Sequence, residues 1–196
     1  MARPKAFKES EILEKAMMVF WKKGYHATSI QDLVRYLGIN RASMYDTFGN
    51  KEALFHLAFK HYQQSNKNRI NELLSSYASV KEGFTAMLVG AMKQTLADED
   101  RKGCFSVNCT TELLPGDEFD LLPTLAENRK EFVAFFGSYL QKGIDAGELS
   151  TSLHVETTAS YIHTLYSGLQ VNAKITDDLE ELTSIIKAGL SILDKE

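Results

Sequence analysis

The feature that most constrains the fold of this chain is a run of short helical segments, separated by glycines, between residues 24 and 52. Gly24 and Gly38 each follow a stretch with helical apolar spacing, and the stretch from Arg41 to Phe48 has only eight residues. A helix of that length is unstable by itself in water. The sequence therefore predicts consecutive helices that must pack against one another.

Apolar residues spaced three and four apart define the helices of this region. The first is predicted over residues 9–23 and ends in two lysines followed by Gly24, a favourable helix end. The second begins after Thr28 or Ser29, either of which can cap it, and Asn40 can cap the third. The result is two short helices joined by a tight turn, after one longer helix.

The rest of the chain continues the helical pattern. Three prolines, twelve glycines and the apolar periodicity predict an all-α protein, with a three-helix head over residues 1–52 and a six-helix domain over residues 53–196. Ser79 and Glu82 have the spacing of a capping box. The helices of the larger domain are predicted near residues 50–76, from 79 onward, and near 104–113, 117–145, 154–173 and 177–193.

Charge is unevenly distributed along the chain, whose net charge is −4. Residues 1–50 contain eight Lys and Arg against five acids, whereas residues 51–196 contain fourteen against twenty-one. A basic head on an acidic body suits a phosphate-binding module joined to another domain. A difference of this size also arises by chance, so charge only supports the evidence of the motif.

The third helix has small, polar and aromatic side chains outside its packing positions. Such side chains leave a low surface that can enter the major groove of DNA. Asn40, Arg41 and Ser43 suit base edges or nearby phosphates. The hydroxyls of Tyr45 and Thr47 suit phosphates, and so does Lys51 at the start of the next helix. For each residue taken alone, a solvated helix face or a cap is the better explanation, and it is the set in this order that favours DNA contact. The predicted DNA-contacting set is Thr28, Ser29, Asn40, Arg41, Ala42, Ser43, Tyr45, Thr47 and Lys51.

These positions form a recognisable pattern: Gly24-Tyr25-x-x-Thr28-Ser29-Ile30, Gly38-Ile39-x-x-Ala42-Ser43-x-Tyr45-x-x-Phe48, and Lys51-Glu52-x-Leu54-Phe55. The pattern resembles the helix-turn-helix head of the TetR family of bacterial transcriptional regulators. The resemblance implies a homodimer that binds a double-stranded DNA operator and a C-terminal domain that binds a small-molecule effector. Asp46 and Thr47 depart from it, because many members have an aromatic residue and a histidine there.

Two regions of the larger domain are predicted to form the dimer interface and the effector pocket. The last two helices are more apolar than one core-facing stripe requires, which favours a dimer face, although completing the monomer core is the alternative. The predicted interface is Tyr161, Leu165, Leu169, Leu182, Ile185, Ile186 and Gly189.

The segment 103–112 is polar for a helix that should lie inside the domain, which favours an effector pocket with mainly apolar walls. Ordinary packing and helix caps are the alternative. The predicted pocket residues are Phe84, Met87, Met92, Cys104, Phe105, Asn108, Glu112, Phe132, Phe136, Tyr139, His163 and Tyr166.

Cys104 supports a second hypothesis, a redox-responsive regulator, because a helix N-terminus lowers a thiol pKa. A small buried apolar side chain is the alternative. Cys104 and Cys109 are five apart and point to different helix faces, which disfavours a disulfide between them.

Other classes of protein receive less support from the sequence. A helical enzyme or carrier that retains the head would need a catalytic or metal-binding grouping, and none stands at suggestive spacing. We therefore predict no cofactor and no metal. The acidic body argues against an architectural DNA protein. The chain has no membrane-spanning run and no signal core, so we expect a cytoplasmic transcriptional regulator, acting as a repressor.

Overall fold

The computed structural model describes residues 8–113 and 121–195, and their regular structure is entirely helical. This confirms the all-α prediction. The helices are α1 (Glu9–Lys23), α2 (Ile30–Leu37), α3 (Arg41–Phe48), α4 (Lys51–Ser75), α5 (Val80–Ala97), α6 (Phe105–Glu112), α7 (Leu122–Asp145), α8 (Val155–Asn172) and α9 (Leu179–Leu190), with a 3-10 turn at Ser191–Leu193. The predicted start of the seventh helix, residue 117, lies outside the described residues.

The chain divides into two compact units. Among the described residues, the head unit contains 8–66 and 108–113, and the body unit contains 67–107 and 121–195. The predicted domain boundary after residue 52 stays a prediction. The head unit extends past it, and inside that unit the Phe55 ring lies 4.9 Å from Phe20, edge to face.

The head unit is built on the apolar faces of its short helices. α1 buries Phe20 together with its neighbouring apolar residues, and α2 buries Leu33 and Leu37. α3 buries Met44 and Phe48, because a helix of eight residues needs tertiary packing to be stable. The apolar side of α3 is thus used for packing, which leaves the opposite side to solvent.

The core of the body unit is formed by α5, α7, α8 and α9 with the end of α4. The Phe84 ring packs edge to face against Phe136 at 5.3 Å and against Tyr139 at 5.2 Å. The Tyr139 hydroxyl donates to the Leu74 carbonyl at 3.0 Å, which satisfies a buried polar group. A Cβ at Gly83 would stand 2.2 Å from that hydroxyl, so the tyrosine requires glycine there.

The N-terminus of α5 is capped from two sides. The Ser79 side chain accepts from the Glu82 backbone N–H at 3.2 Å. Glu148 adds a second cap, because its carboxylate accepts from the N–H groups of Val80 at 2.8 Å and Lys81 at 3.1 Å. Burial acts to raise the pKa of Glu148, but the hydrogen bonds from Ser79 and the two backbone groups bring it below the usual value.

Candidate nucleic-acid interface

α3 separates its packing residues from its exposed residues. Met44 is fully buried, whereas Arg41, Ala42 and Tyr45 are exposed. The Asn40 side chain accepts from the Ser43 backbone N–H at 2.8 Å and caps the helix, as the sequence predicted. The exposed side of α3 is consequently a low surface of small and polar groups that a DNA groove can accept.

Two exposed side chains of α3 contact each other. The Arg41 guanidinium carbon lies 5.6 Å from the centre of the Tyr45 ring, a cation–π contact. Stacking restricts the guanidinium while its five N–H donors remain available for base or phosphate acceptors. Ser43 and Thr47 are half-buried on the same helix.

The N-terminus of α2 is held by a reciprocal capping box. Ser29 Oγ accepts from the Asp32 backbone N–H at 3.0 Å, and the Ser29 backbone N–H donates to Asp32 at 3.1 Å. Asp32 also pairs with Lys23 at 2.9 Å. The hydrogen bond from Lys23, followed by those from Ser29, lowers the pKa of Asp32 far below its usual value. Ser29 is exposed at this helix start, where a phosphate can bind.

Thr28 occupies a different position from the one predicted. Its side chain is only 1% exposed, and its hydroxyl donates to the Gly24 carbonyl at 2.6 Å. The prediction that Thr28 contacts DNA is therefore corrected, because its polar group is used inside the turn between α1 and α2. The helix start is capped by Ser29 alone of the two candidates.

Lys51 lies at the first position of α4, where Asn50 caps the helix by accepting from the Ala53 backbone N–H at 2.8 Å. The Lys51 ammonium stands 4.2 Å from the centre of the Tyr25 ring. Burial lowers the pKa of Lys51, and the Glu112 carboxylate acts in the opposite direction. A cation at a helix N-terminus is suited to binding a phosphate together with the backbone N–H groups.

The sequence prediction missed one exposed aromatic residue of the head unit. Tyr36 on α2 is 56% exposed, and the Arg35 guanidinium carbon lies 5.5 Å from its ring centre. Its position outside the apolar stripe of α2 was the signal that could have identified it. An aromatic hydroxyl beside an arginine is a further group that can contact a DNA backbone.

Ten of the twelve predicted pocket residues belong to the body unit, whereas Asn108 and Glu112 belong to the head unit. Glu112 accepts from the His26 backbone N–H at 2.9 Å, so its carboxylate contacts the turn after α1. Seven of the ten body residues are buried and three are half-buried. The buried ones are Phe84, Met87, Met92, Cys104, Phe105, Phe136 and Tyr139, and the half-buried ones are Phe132, His163 and Tyr166.

Among the polar members of this body set, His163 and Tyr166 have shifted pKa values. Burial, then the charge of Arg129, lowers the pKa of His163. Burial, then Cys104, raises the pKa of Tyr166 well above its usual value, and Cys104 is hydrogen-bonded to it. Cys104 and Cys109 are both buried and form no disulfide, and a buried cysteine packs as a small apolar side chain.

The predicted dimer residues fall into two groups. Leu169, Leu182 and Ile186 are buried in the core of the body unit. Their place in the interface is corrected, because their side chains already pack within one protomer. Tyr161 and Ile185 are exposed, while Leu165 and Gly189 are half-buried, so these four remain predicted interface residues.

Within residues 8–113 and 121–195, no three His, Cys, Asp or Glu side chains are grouped as a metal site requires. In the same ranges, no helix combines the length and apolar character needed to cross a bilayer.

Two family profiles match most of the chain. The profile described as "Bacterial regulatory proteins, tetR family" matches residues 12–58, which include α2 and α3. The profile described as "Tetracyclin repressor-like, C-terminal domain" matches residues 85–188.

Relatives and solved structures agree with these matches. The Bacillus subtilis regulator YezE, an uncharacterised helix-turn-helix protein, is 32% identical over 99% of this chain and 100% of its own length. The Escherichia coli transcriptional repressor ComR is 29% identical over 97% and 90% of the two chains. A cysteine mutant of the TetR-family regulator CifR, solved with 26-base-pair operator DNA, has 30% identity and a TM-score of 0.85, covering 96% and 98%.

Proposed function

The chain belongs to the TetR family of bacterial regulatory proteins, and from this we propose that it represses transcription by binding a palindromic operator as a homodimer. The observation on which the proposal depends is α3, with Arg41, Ala42 and Tyr45 exposed opposite its buried side. α3 supplies base contacts, and the starts of α2 and α4 supply phosphate contacts through Ser29 and Lys51.

Dimerisation is proposed through α8 and α9. Tyr161 on α8 and Ile185 on α9 keep large apolar side chains in solvent although their helices pack in the body core. A two-fold contact buries the same patch from both protomers. Two heads related by that axis bind two half-sites, which is why the operator is proposed to be palindromic.

The body unit is proposed to bind a small-molecule effector that releases the DNA. Its support is the contact of the half-buried Tyr166 with the buried Cys104, in a unit whose core contains the aromatic side chains of Phe84, Phe136 and Tyr139. An effector shifts the equilibrium only if it binds the DNA-free arrangement more tightly. The relatives are transcriptional regulators, so we propose no catalytic activity, and we place the protein in the cytoplasm with the DNA it binds.

The proposal is tested by selecting bound duplexes from a random DNA pool with the full-length wild type. We expect enrichment of one motif with two-fold symmetry, bound more weakly as the salt concentration rises, because phosphate contacts release counterions. A pool without any enriched motif after selection at low ionic strength contradicts the proposed function. An enriched motif without symmetry contradicts the dimeric arrangement.

A further inference from the structure

The end of α6 contacts the turn between α1 and α2 through a single carboxylate. Glu112 Oε1 accepts a hydrogen bond from the His26 backbone N–H at 2.9 Å, and both residues belong to the head unit. The two residues are 86 positions apart in the sequence. A charged acceptor makes a backbone hydrogen bond about twice as strong as a neutral one does. The turn is therefore held by a residue remote from it in the chain.

Gly24 is what admits this carboxylate to the turn. A Cβ at Gly24 would stand 2.6 Å from Oε1 and 2.7 Å from Oε2 of Glu112, closer than such atoms approach. Gly24 also has a φ of 82°, a conformation that favours glycine. The buried Thr28 hydroxyl donates a hydrogen bond to the Gly24 carbonyl at 2.6 Å. The turn is thus fixed on one side by Thr28 and on the other by Glu112.

The same turn contacts Lys51, the lysine proposed to bind phosphate. Tyr25 lies in the turn, and its ring stands 4.2 Å from the Lys51 ammonium. The Glu112 carboxylate also stabilises the charged form of Lys51, against the effect of burial. Glu112 is therefore linked to Lys51 through the turn that positions the Tyr25 ring.

We propose that Glu112 is a positioning residue for DNA recognition, which orders the turn over residues 24–26 and with it the start of α2 and Lys51. The proposal rests on the proposed function, because it concerns how the head binds an operator. α6 begins at Phe105 in the body unit and ends at Glu112 in the head unit.

Ordering of the head affects specific and non-specific binding differently. Non-specific affinity follows the number of cations near phosphates, which a mobile turn does not change. Specific affinity needs base contacts made from one fixed orientation. Loss of the Glu112 contact should therefore reduce the preference for the operator over unrelated DNA, while affinity for unrelated DNA stays within about twofold of the wild type.

The test compares three variants of Glu112 by fluorescence anisotropy, on the operator selected by the wild type and on a scrambled duplex of equal length. Glu112→Ala removes the acceptor and the charge, Glu112→Asp keeps the charge but shortens the reach, and Glu112→Gln keeps a carbonyl acceptor. We expect operator preference to fall roughly tenfold in the Ala and Asp variants and to stay within about twofold in the Gln variant. Glu72→Ala, an exposed glutamate on α4, is the charge-matched control and should match the wild type.

Measurements are made where circular dichroism shows each variant fully folded, so that a purely stabilising role would leave operator preference unchanged. If the Ala variant does not fold, the Asp and Gln pair decides. Unchanged preference in Glu112→Asp overturns the proposal, as does a Gln variant that loses as much as the Asp variant. If the wild type enriches no motif, the proposed function itself is refuted. If the wild type binds its operator and the Glu112 variants keep the same operator preference, only the role of Glu112 is refuted.

Discussion

At the scale of single residues, the side chains proposed to contact DNA carry different chemical groups. Tyr45 and Lys51 present a hydroxyl and an ammonium, which suit phosphate oxygens on any sequence. Arg41 presents a planar set of donors that matches the major-groove edge of guanine. The stacking of Arg41 on Tyr45 places both kinds of contact on the same exposed side of α3.

The first prediction concerns the phosphate contacts. Tyr45→Ala should weaken binding roughly tenfold or more on every DNA sequence, because one hydrogen bond to a charged acceptor is lost. Lys51→Ala should also weaken binding, and should reduce the slope of log affinity against log salt by about 1 per protomer. Both are measured by anisotropy titrations at several salt concentrations.

Matched controls come from the body unit. Tyr77 has nearly the same exposure as Tyr45, 38% against 39%, and Lys142 is exposed near the end of α7. Tyr77→Ala and Lys142→Ala should bind DNA as the wild type does. Wild-type affinity in both Tyr45→Ala and Lys51→Ala would contradict the proposed docking of the head.

The second prediction concerns how the contribution of Asp32 to the stability of the fold depends on pH. The pKa of Asp32 is lowered in the folded protein, first by the hydrogen bond with Lys23 and then by Ser29. Because the folded pKa lies below the unfolded value of about 3.9, the carboxylate stabilises the fold fully above that pH and less as pH falls below it. Asp32→Asn should therefore be less stable than the wild type near neutral pH, and the difference should shrink in acid.

Urea unfolding followed by circular dichroism between neutral pH and about pH 3, a range that spans the unfolded value, measures this difference. Asp46→Asn is the control, because Asp46 is exposed on α3. A stability difference between wild type and Asp32→Asn that grows as pH falls would have the wrong sign.

At the scale of helices, the ends are fixed as much by distant residues as by local ones. The third prediction is that Glu148→Ala destabilises the protein by about 1 to 2 kcal/mol, since the N–H groups of Val80 and Lys81 lose their acceptor. The free energy of unfolding in urea measures the change, with Glu72→Ala as a control of equal charge. Equal stabilities for the two variants would show that Ser79 alone caps α5.

Local patterns predicted the helices well because their causes are local. Glycines end α1 and α2, and Ser29, Asn40 and Asn50 cap the helices that follow, all readable from neighbouring residues. Contacts over long sequence distances could not be predicted in this way. The Glu112–His26 and Glu148–Val80 bonds join residues 86 and 68 positions apart, so no local spacing signals them.

Candidate site residues were predicted with the same limitation. The alternation of buried and exposed positions on α3 follows from its apolar spacing, so its surface residues were identified correctly as exposed or half-buried. Thr28 could equally have capped α2 or turned inward, and only the folded turn decides between them. In α8 and α9, apolar residues of the core and of an exposed patch look alike in sequence, which explains the misplacement of Leu169, Leu182 and Ile186.

At the scale of the whole molecule, the proposed dimer gives the fourth prediction. Ile185→Asp should shift the protein towards a monomer of 22.0 kDa, because a buried unpaired charge is costly, and should weaken operator binding. Sedimentation velocity measures the mass. Ile175→Asp is the control, since Ile175 is 83% exposed beyond α8, and a dimeric Ile185→Asp protein would contradict the interface.

The central claim is that α3 reads bases, and it is tested most directly by repeating the random-pool selection with Arg41→Ala beside the wild type. We predict that the variant selects a palindrome in which one symmetric pair of positions has lost its base preference, since a bidentate arginine contact provides about 1 to 3 kcal/mol of discrimination. An identical motif from both proteins would contradict the assignment of Arg41 to base recognition.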